Sequence, residues 1–230
     1  MALYAVIGLG QLGVAVATQL TEGGGEVVAI DSDSARVDAI KDKVARALCL
    51  DATDERALRA SGVADSSTVV LALGENQLEE AVLATMILRE LGVGRIVARA
   101  SSDVQAKVLQ RIGVSKVVFP ERQIGHQLAR QILMPSVREI VPLAADASLA
   151  EIEAPRSFVG KNLAELKLRA QYGVNAVALR RRRDIVKDDG IAEEADTVVS
   201  NVGPETVVEK GDVLVLVGAD EAVRALSTVK

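Results

Sequence analysis

The segment LYAVIGLGQLGVAVATQLTEGGGEVVAID (residues 3–31) sets a strand, a glycine-rich turn, a helix and a second strand end to end. Five apolar residues, Leu3–Ile7, run into Gly8-Leu9-Gly10-Gln11-Leu12-Gly13. A helical pattern continues to about Gly23, and a second apolar run, Glu26–Ile30, ends on Asp31. A GxGxxG spacing is common by chance, so its flanking elements carry the weight. Between a strand and a helix each glycine has its own task. Gly8 permits the tight turn, Gly10 lets a phosphate approach the backbone, and Gly13 lets the helix sit close to the strand. The free N–H groups at the helix start then face the phosphate. Asp31, 18 residues after Gly13, stands where a carboxylate accepts hydrogen bonds from both ribose hydroxyls. Glycines that merely pack a helix on a strand would not need the full order of strand, motif, helix, strand and acid.

The alternation continues. Asp31-Ser32-Asp33-Ser34 opens a helix with Ser34 as N-cap, running to about Val44. Strand Ala47–Leu50, helix Asp54–Ala60, strand Thr68–Leu73, helix Asn76–Leu91, strand Arg95–Ala98, helix Asp103–Ile112 and strand Lys116–Phe119 follow. Six strands, each separated by a helix of crossover length, predict an α/β fold with a Rossmann-type doubly wound parallel sheet. Composition agrees: hydrophobic residues are 49% and aromatics only 2%, the aliphatic stock of strands buried on both faces. Ligands of such sheets lie outside the carboxyl ends of the strands. Candidates for binding an adenine nucleotide are therefore Gly8, Gly10, Gln11, Leu12 and Gly13 after the first strand, and Asp31 and Asp33 after the second. Asp51, Ala52 and Thr53 follow the third, Gly74 and Asn76 the fourth, and Arg99 the fifth. Arg99 is the candidate phosphate partner, with a solvated surface arginine as the alternative.

Other classes find less support. A net charge of −5 disfavours a nucleic-acid reader driven by phosphate attraction. No apolar run approaches about 18 residues, and a strand begins at once, so neither a spanning helix nor a signal peptide is expected. Cys49 is the only cysteine; it excludes disulfides within one chain and reads as a buried small hydrophobe in an aliphatic strand. A reducing cytoplasm fits. The one histidine, His126, lies in an amphipathic helix at Gln123–Leu133 and reads as a packing or surface residue. With no GxSxG, no HExxH and no metal-ligand cluster, nothing in the sequence asks for catalysis.

The rhythm changes after Ser136. Strands Val137–Leu143 and Leu149–Ala154 flank a turn at Ala145-Asp146-Ala147. Asn162 then precedes a helix at Leu163–Ala170, capped by Gly173. Strand Asn175–Leu179 leads into Arg180-Arg181-Arg182-Arg183. This run reads either as a solvated strand end and turn or as a grip for a phosphate or an acidic partner. The acidic stretch Ile191–Pro204 is an extended loop or an extra hairpin. Strands Thr206–Val207 and Val213–Val217 flank the turn at Glu209-Lys210-Gly211-Asp212, and helix Ala219–Leu226 follows. The whole predicts a small α+β module.

Taken in order, several segments resemble the KTN/RCK-type regulatory subunits of bacterial Ktr/Trk potassium uptake systems. They are Ala5–Gly13, Asp51–Glu55, Leu109–Val114, Phe119–Gly125, Gly160–Leu163, Leu168–Val174 and Glu209–Leu214. The resemblance spans the chain and implies three parts: a Rossmann nucleotide-binding domain over 1–120, a crossover helix and hinge over 121–141, and an RCK C-terminal (TrkA-C-like) domain over 142–230. It implies a non-enzymatic cytoplasmic subunit that forms homodimers, assembles as a homo-octameric ring and gates a membrane potassium channel. ATP or ADP, or in some members NAD(H), would set the ring's shape. By family position Glu121 would join a site for a divalent or monovalent cation near the nucleotide at the dimer interface. Arg169, Asn175 and Pro204 would form a second ligand site, occupied by cyclic di-AMP in some relatives. Several ATP-sensing relatives carry an arginine where this chain has Gln11, a poorer phosphate partner. Discrimination between ATP and ADP would then fall to Arg99, be weak, or give way to another nucleotide altogether. An NAD(P)-dependent oxidoreductase and a regulatory subunit of a cation antiporter are the competing readings.

Overall fold

A computed structural model describes residues 2–186 and 192–229. The chain divides into two compact units, Met1–Ile124 and Gly125–Lys230. In the first, strands β1 (Leu3–Ile7), β2 (Glu26–Asp31), β3 (Arg46–Cys49), β4 (Thr68–Leu71), β5 (Ile96–Arg99) and β6 (Lys116–Val118) alternate with helices. These are α1 (Gln11–Glu22), α2 (Ser34–Ile40), α3 (Glu55–Ala60), α4 (Leu78–Glu90) and α5 (Asp103–Arg111). All strand pairs are parallel, in the order β3-β2-β1-β4-β5-β6. Chain direction through the sheet reverses between β1 and β4, which opens a crevice at their carboxyl ends.

The period of two places alternate residues of one aliphatic run in different cores. Ala5, Ile7, Val28 and Ile30 pack with Leu58, Leu88 and Leu109 on one face, whereas Val6, Val27 and Ala29 meet Ala17, Val37 and Ile40 on the other. Side chains mark the helix starts. Asp33 accepts from the N–H of Ala35 (2.9 Å), Asp54 from those of Arg56 and Ala57, and Ser102 from that of Gln105. The N-cap of α2 is thus Asp33 and not Ser34, which is the first helical residue.

Helix α6 (Pro120–Leu133) carries no buried residue. Beyond it, β7 (Val137–Pro142), β8 (Ala147–Glu153), β9 (Val174–Val186), β10 (Ala192–Val199) and β11 (Val213–Ala219) form an antiparallel sheet in the order β10-β9-β11-β8-β7. Helices α7 (Leu163–Leu166), α8 (Leu168–Tyr172) and α9 (Asp220–Ser227) accompany it, and Ile152, Phe158, Leu179, Leu214, Leu216, Val223 and Leu226 fill the core.

Four expectations change here. The helix expected over 163–170 is two short helices broken at Lys167, whose φ of 44° cannot continue a right-handed helix. Val207 makes one isolated bridge to Asn162 rather than a strand. The arginine run lies inside β9, which β10 prolongs by pairing through Val186, so it is neither a strand end nor a turn. Arg181 sits only 12% exposed, donating to Asp212 (2.7 and 2.8 Å) and to Glu209, while Arg180 donates to Glu151 at 2.6 Å. Cys49 is exposed, contrary to the buried reading. It ends β3, the edge strand of the parallel sheet, where an aliphatic neighbourhood in sequence does not enclose the side chain.

Candidate nucleotide-binding cleft

The carboxyl ends of β1 to β5 enclose a cleft of about 580 Å³. Eight of the expected residues line it: Gly8, Gly10, Asp31, Asp33, Asp51, Ala52, Gly74 and Arg99. Each glycine matches its physical task. Gly8 has φ +92°, a conformation that L side chains avoid, and a Cβ there would stand 2.9 Å from the Ala72 carbonyl oxygen. Gly10 faces open space, with no atom within 4 Å of where its Cβ would be. Gly13 lies off the cleft beneath the turn, so close that a Cβ would fall 1.8 Å from the Gly8 carbonyl oxygen. The turn is therefore bare of side chains where a phosphate would arrive and tightly braced from behind.

Asp31 is 7% exposed and ties two segments together. Its Oδ2 accepts from the buried Leu9 N–H at 2.7 Å and its Oδ1 from the Asp33 N–H at 2.9 Å. Oδ1 keeps a further acceptor lone pair for a ribose hydroxyl, while Oδ2 also has Arg36 Nη1 at 3.5 Å. Asp51 accepts from the Thr53 N–H and hydroxyl, both at 2.8 Å, which holds its carboxyl below the usual range and so ionised near neutrality. Gly74 N–H donates to the Gln77 side chain at 2.7 Å and orders the turn before α4.

Arg99 reaches the cleft from the end of β5 and is 20% exposed. Its Nη2 lies 2.6 Å from Glu121 Oε1, while its buried Nε has no partner. The two residues expected to meet a phosphate and a cation thus meet each other. Glu121 also borders a small cavity with Glu75, Ser101 and Phe119. Among the described residues no group of three or more His, Cys, Asp or Glu side chains could hold a metal. One carboxylate such as Glu121 does not by itself make a cation shell, which takes about six or more oxygen ligands for a calcium ion.

Gln11, Leu12, Thr53 and Asn76 do not line the cleft; Gln11 is exposed, and Asn76 sits in the turn ahead of α4 rather than in it. Sequence reasoning missed Arg36, Gln77 and Glu80, which do line it. Arg36 lies one helical turn into α2, and only its helical phase relative to Asp31 and Asp33 could have placed it. In the second unit Arg169, Asn175 and Pro204 come together in one shallow, open pocket with Lys167 and Val202, and among the described residues no acidic side chain borders it. Among the described residues no helix is long and apolar enough to cross a membrane.

Family comparison agrees with this architecture. Residues 4–120 match the TrkA-N domain and residues 148–229 the TrkA-C domain. The chain is 35% identical to Ktr system potassium uptake protein C of Bacillus subtilis (strain 168) over 216 residues, covering 94% of this chain and 91% of that one. It is 31% identical to Ktr system potassium uptake protein A of Vibrio alginolyticus, covering 95% and 93%. Among solved structures the GsuK RCK domain superposes with a TM-score of 0.63 at 16% identity, over 99% of this chain and 47% of that one. The GsuK channel bound to NAD gives 0.52 at 24%, over 100% and 38%. This chain therefore spans under half of either solved chain, and at these identities the likeness concerns the fold. With both domains matched and close relatives covered almost end to end, the chain belongs to the TrkA-N/TrkA-C family of Ktr and Trk potassium uptake proteins.

Proposed function

We propose that this chain is a cytoplasmic, non-enzymatic regulatory subunit that binds an adenine nucleotide and thereby gates a membrane potassium channel or transporter. The observation that carries the reading is the cleft itself: a turn bare of side chains at Gly10, a carboxylate at the end of β2 and an arginine at the end of β5. This is the constellation that holds a phosphate, a ribose and a second phosphate in turn. The relatives' names supply potassium uptake, and the NAD-bound GsuK channel keeps NAD(H) beside ATP and ADP as a ligand.

Gating of this kind needs a ligand that binds one arrangement of the assembly more tightly than another, since equal affinity shifts nothing. Arg99 is the available lever. A charge-assisted contact to a terminal phosphate contributes roughly 1.5–3 kcal/mol, about ten- to a hundredfold per site. Glu121 now holds one Arg99 nitrogen, Nη2, so a phosphate competes with that carboxylate for the guanidinium. A cation on Glu121 would neutralise the carboxylate and release Arg99 toward the phosphate. Homodimers and an octameric ring remain part of the proposal. The exposed Ile124, Leu128 and Ile132 recur every fourth residue along α6, an apolar stripe suited to a second copy. The pocket of Arg169, Asn175 and Pro204 is the proposed seat of a cyclic dinucleotide, its cationic border matching a phosphodiester.

Calorimetric titration of nucleotide-stripped protein with ATP, ADP, NAD+ and NADH, with and without Mg2+, tests the reading. Affinities that differ between ATP and ADP, with the difference lost in Arg99→Ala, support it. Binding of NAD+ or NADH alone would refute an ATP/ADP switch and favour redox sensing. Turnover of a nicotinamide cofactor with a small substrate would refute the non-enzymatic reading.

A further inference from the structure

We propose that Arg36 is the base-facing residue of the cleft, a planar cation that stacks on adenine and makes the site prefer purine nucleotides; the proposal rests on the nucleotide reading above. Arg36 projects from α2 into the ribose end of the cleft. Its Nη1 lies 3.5 Å from Asp31 Oδ2 and its Nε 3.5 Å from Asp33 Oδ2. Both contacts are at the long limit for a hydrogen bond, and the side chain is 54% exposed, so the guanidinium is held near the site without being fixed. With the ribose on Asp31 and the phosphates on the Gly8–Gly13 turn, the base must lie beside the end of β2, between α2 and the end of β3. Leu50 and Ala52, on either side of Asp51, line the cleft at the end of β3 and supply its aliphatic surface there.

No aromatic side chain lines the cleft. A purine in it finds aliphatic packing on one face and, on the other, the flat guanidinium of Arg36, which stacks on aromatic rings as an ammonium cannot. Arg99, the second arginine of the cleft, stands at the end of β5 with Glu121 and serves the phosphate end. A 2′-phosphate contact for Arg36 conflicts with local charge. Asp31 and Asp33 both lie beside the guanidinium, which leaves this corner net negative and hostile to a further dianion.

The test is titration of the full chain and its Arg36→Ala and Arg36→Lys variants with ADP, UDP, NAD+ and NADP+, with thermal unfolding as a control for folding. Wild type is expected to bind ADP more tightly than UDP and NAD+ more tightly than NADP+. Arg36→Ala should weaken ADP and NAD+ about five- to thirtyfold and UDP by less than about twofold. Arg36→Lys should recover little, because it keeps the charge without the plane. Unchanged ADP affinity in Arg36→Ala, full recovery in Arg36→Lys, or a loss confined to NADP+ would each overturn the proposal. A wild-type chain that binds none of the four ligands would instead overturn the nucleotide reading beneath it.

Discussion

Gly13→Ala separates the bracing of the glycine turn from its use. A methyl group at this position would stand 1.8 Å from the Gly8 carbonyl oxygen and 3.4 Å from the Ala72 Cβ. The first obstacle is backbone, so no side-chain rotation relieves it, and α1 must retreat from the turn by about 1.2–1.6 Å to restore contact distance. Alanine gains up to about 1 kcal/mol over glycine in a helix. Overpacking costs about 1–3 kcal/mol, more when backbone must move. The expected net is a destabilisation of about 1–2 kcal/mol, read as a fall of about 3–8 °C in the melting of the first unit. The same retreat misplaces the N–H groups proposed to face a phosphate, so ADP affinity should fall about tenfold. Gly10→Ala is the control. Its φ of −72° suits any residue and no atom lies within 4 Å, so stability should hold within about 0.5 kcal/mol. Its methyl group still stands at the cleft lining, and ADP affinity should fall by a similar factor. Circular dichroism melting and calorimetry on both variants separate the effects. A Gly13→Ala chain as stable as wild type would refute the close seating of α1. Unchanged ADP affinity in Gly10→Ala would refute a phosphate at this turn.

Other residues make separate claims. Asp31→Ala strands the buried Leu9 N–H and frees that of Asp33, and should cost about 2–3 kcal/mol in urea denaturation, with Asp31→Asn losing less. Arg181→Ala leaves the 1% exposed Asp212 charge without its cation and should cost about 3 kcal/mol. A double-mutant cycle of Arg181→Ala with Asp212→Ala should be strongly non-additive, and additivity within about 0.5 kcal/mol would refute the coupling. Lys167→Gly should raise stability by about 1 kcal/mol, because a φ of 44° burdens any residue with a Cβ; an unchanged melting temperature would show that the strain is absorbed elsewhere.

What the sequence made legible was whatever a residue does to its own backbone. Gly8 must turn with positive φ, Gly13 must admit a helix, and an aliphatic run must be covered on both faces; each is a local constraint, and together they give the strand order through the handedness of the crossovers. Asp33 and Ser34 are both good N-caps and adjacent, so composition could not choose between them. Geometry chose Asp33, whose own N–H is held by Asp31. Cys49 was misread because burial belongs to the place of a strand in the sheet, and β3 lies at an edge. The arginine run was misread because β9 owes its length to β10, a pairing that no local signal announces.

The charge pairs of the cleft were the least legible part, and they change how ligand binding must be understood. Both arginines that line the cleft already have acidic partners from this chain: Arg36 has Asp31 and Asp33, and Arg99 has Glu121. An anionic ligand therefore does not fall into a field of waiting cations. On the proposed reading it competes with a carboxylate, and its affinity would be the difference between two charge-assisted contacts rather than the strength of one. Such an exchange suits a sensor better than a tight store. A phosphate that replaces Glu121 well and one that replaces it poorly differ by most of a contact, while neither binds irreversibly. The same substitution then has opposite effects on affinity and on discrimination. Glu121→Gln should tighten binding of every phosphate ligand by freeing Arg99, yet reduce the dependence of that binding on cations. A site built only for affinity would not place an acid 2.6 Å from the arginine proposed to meet the phosphate.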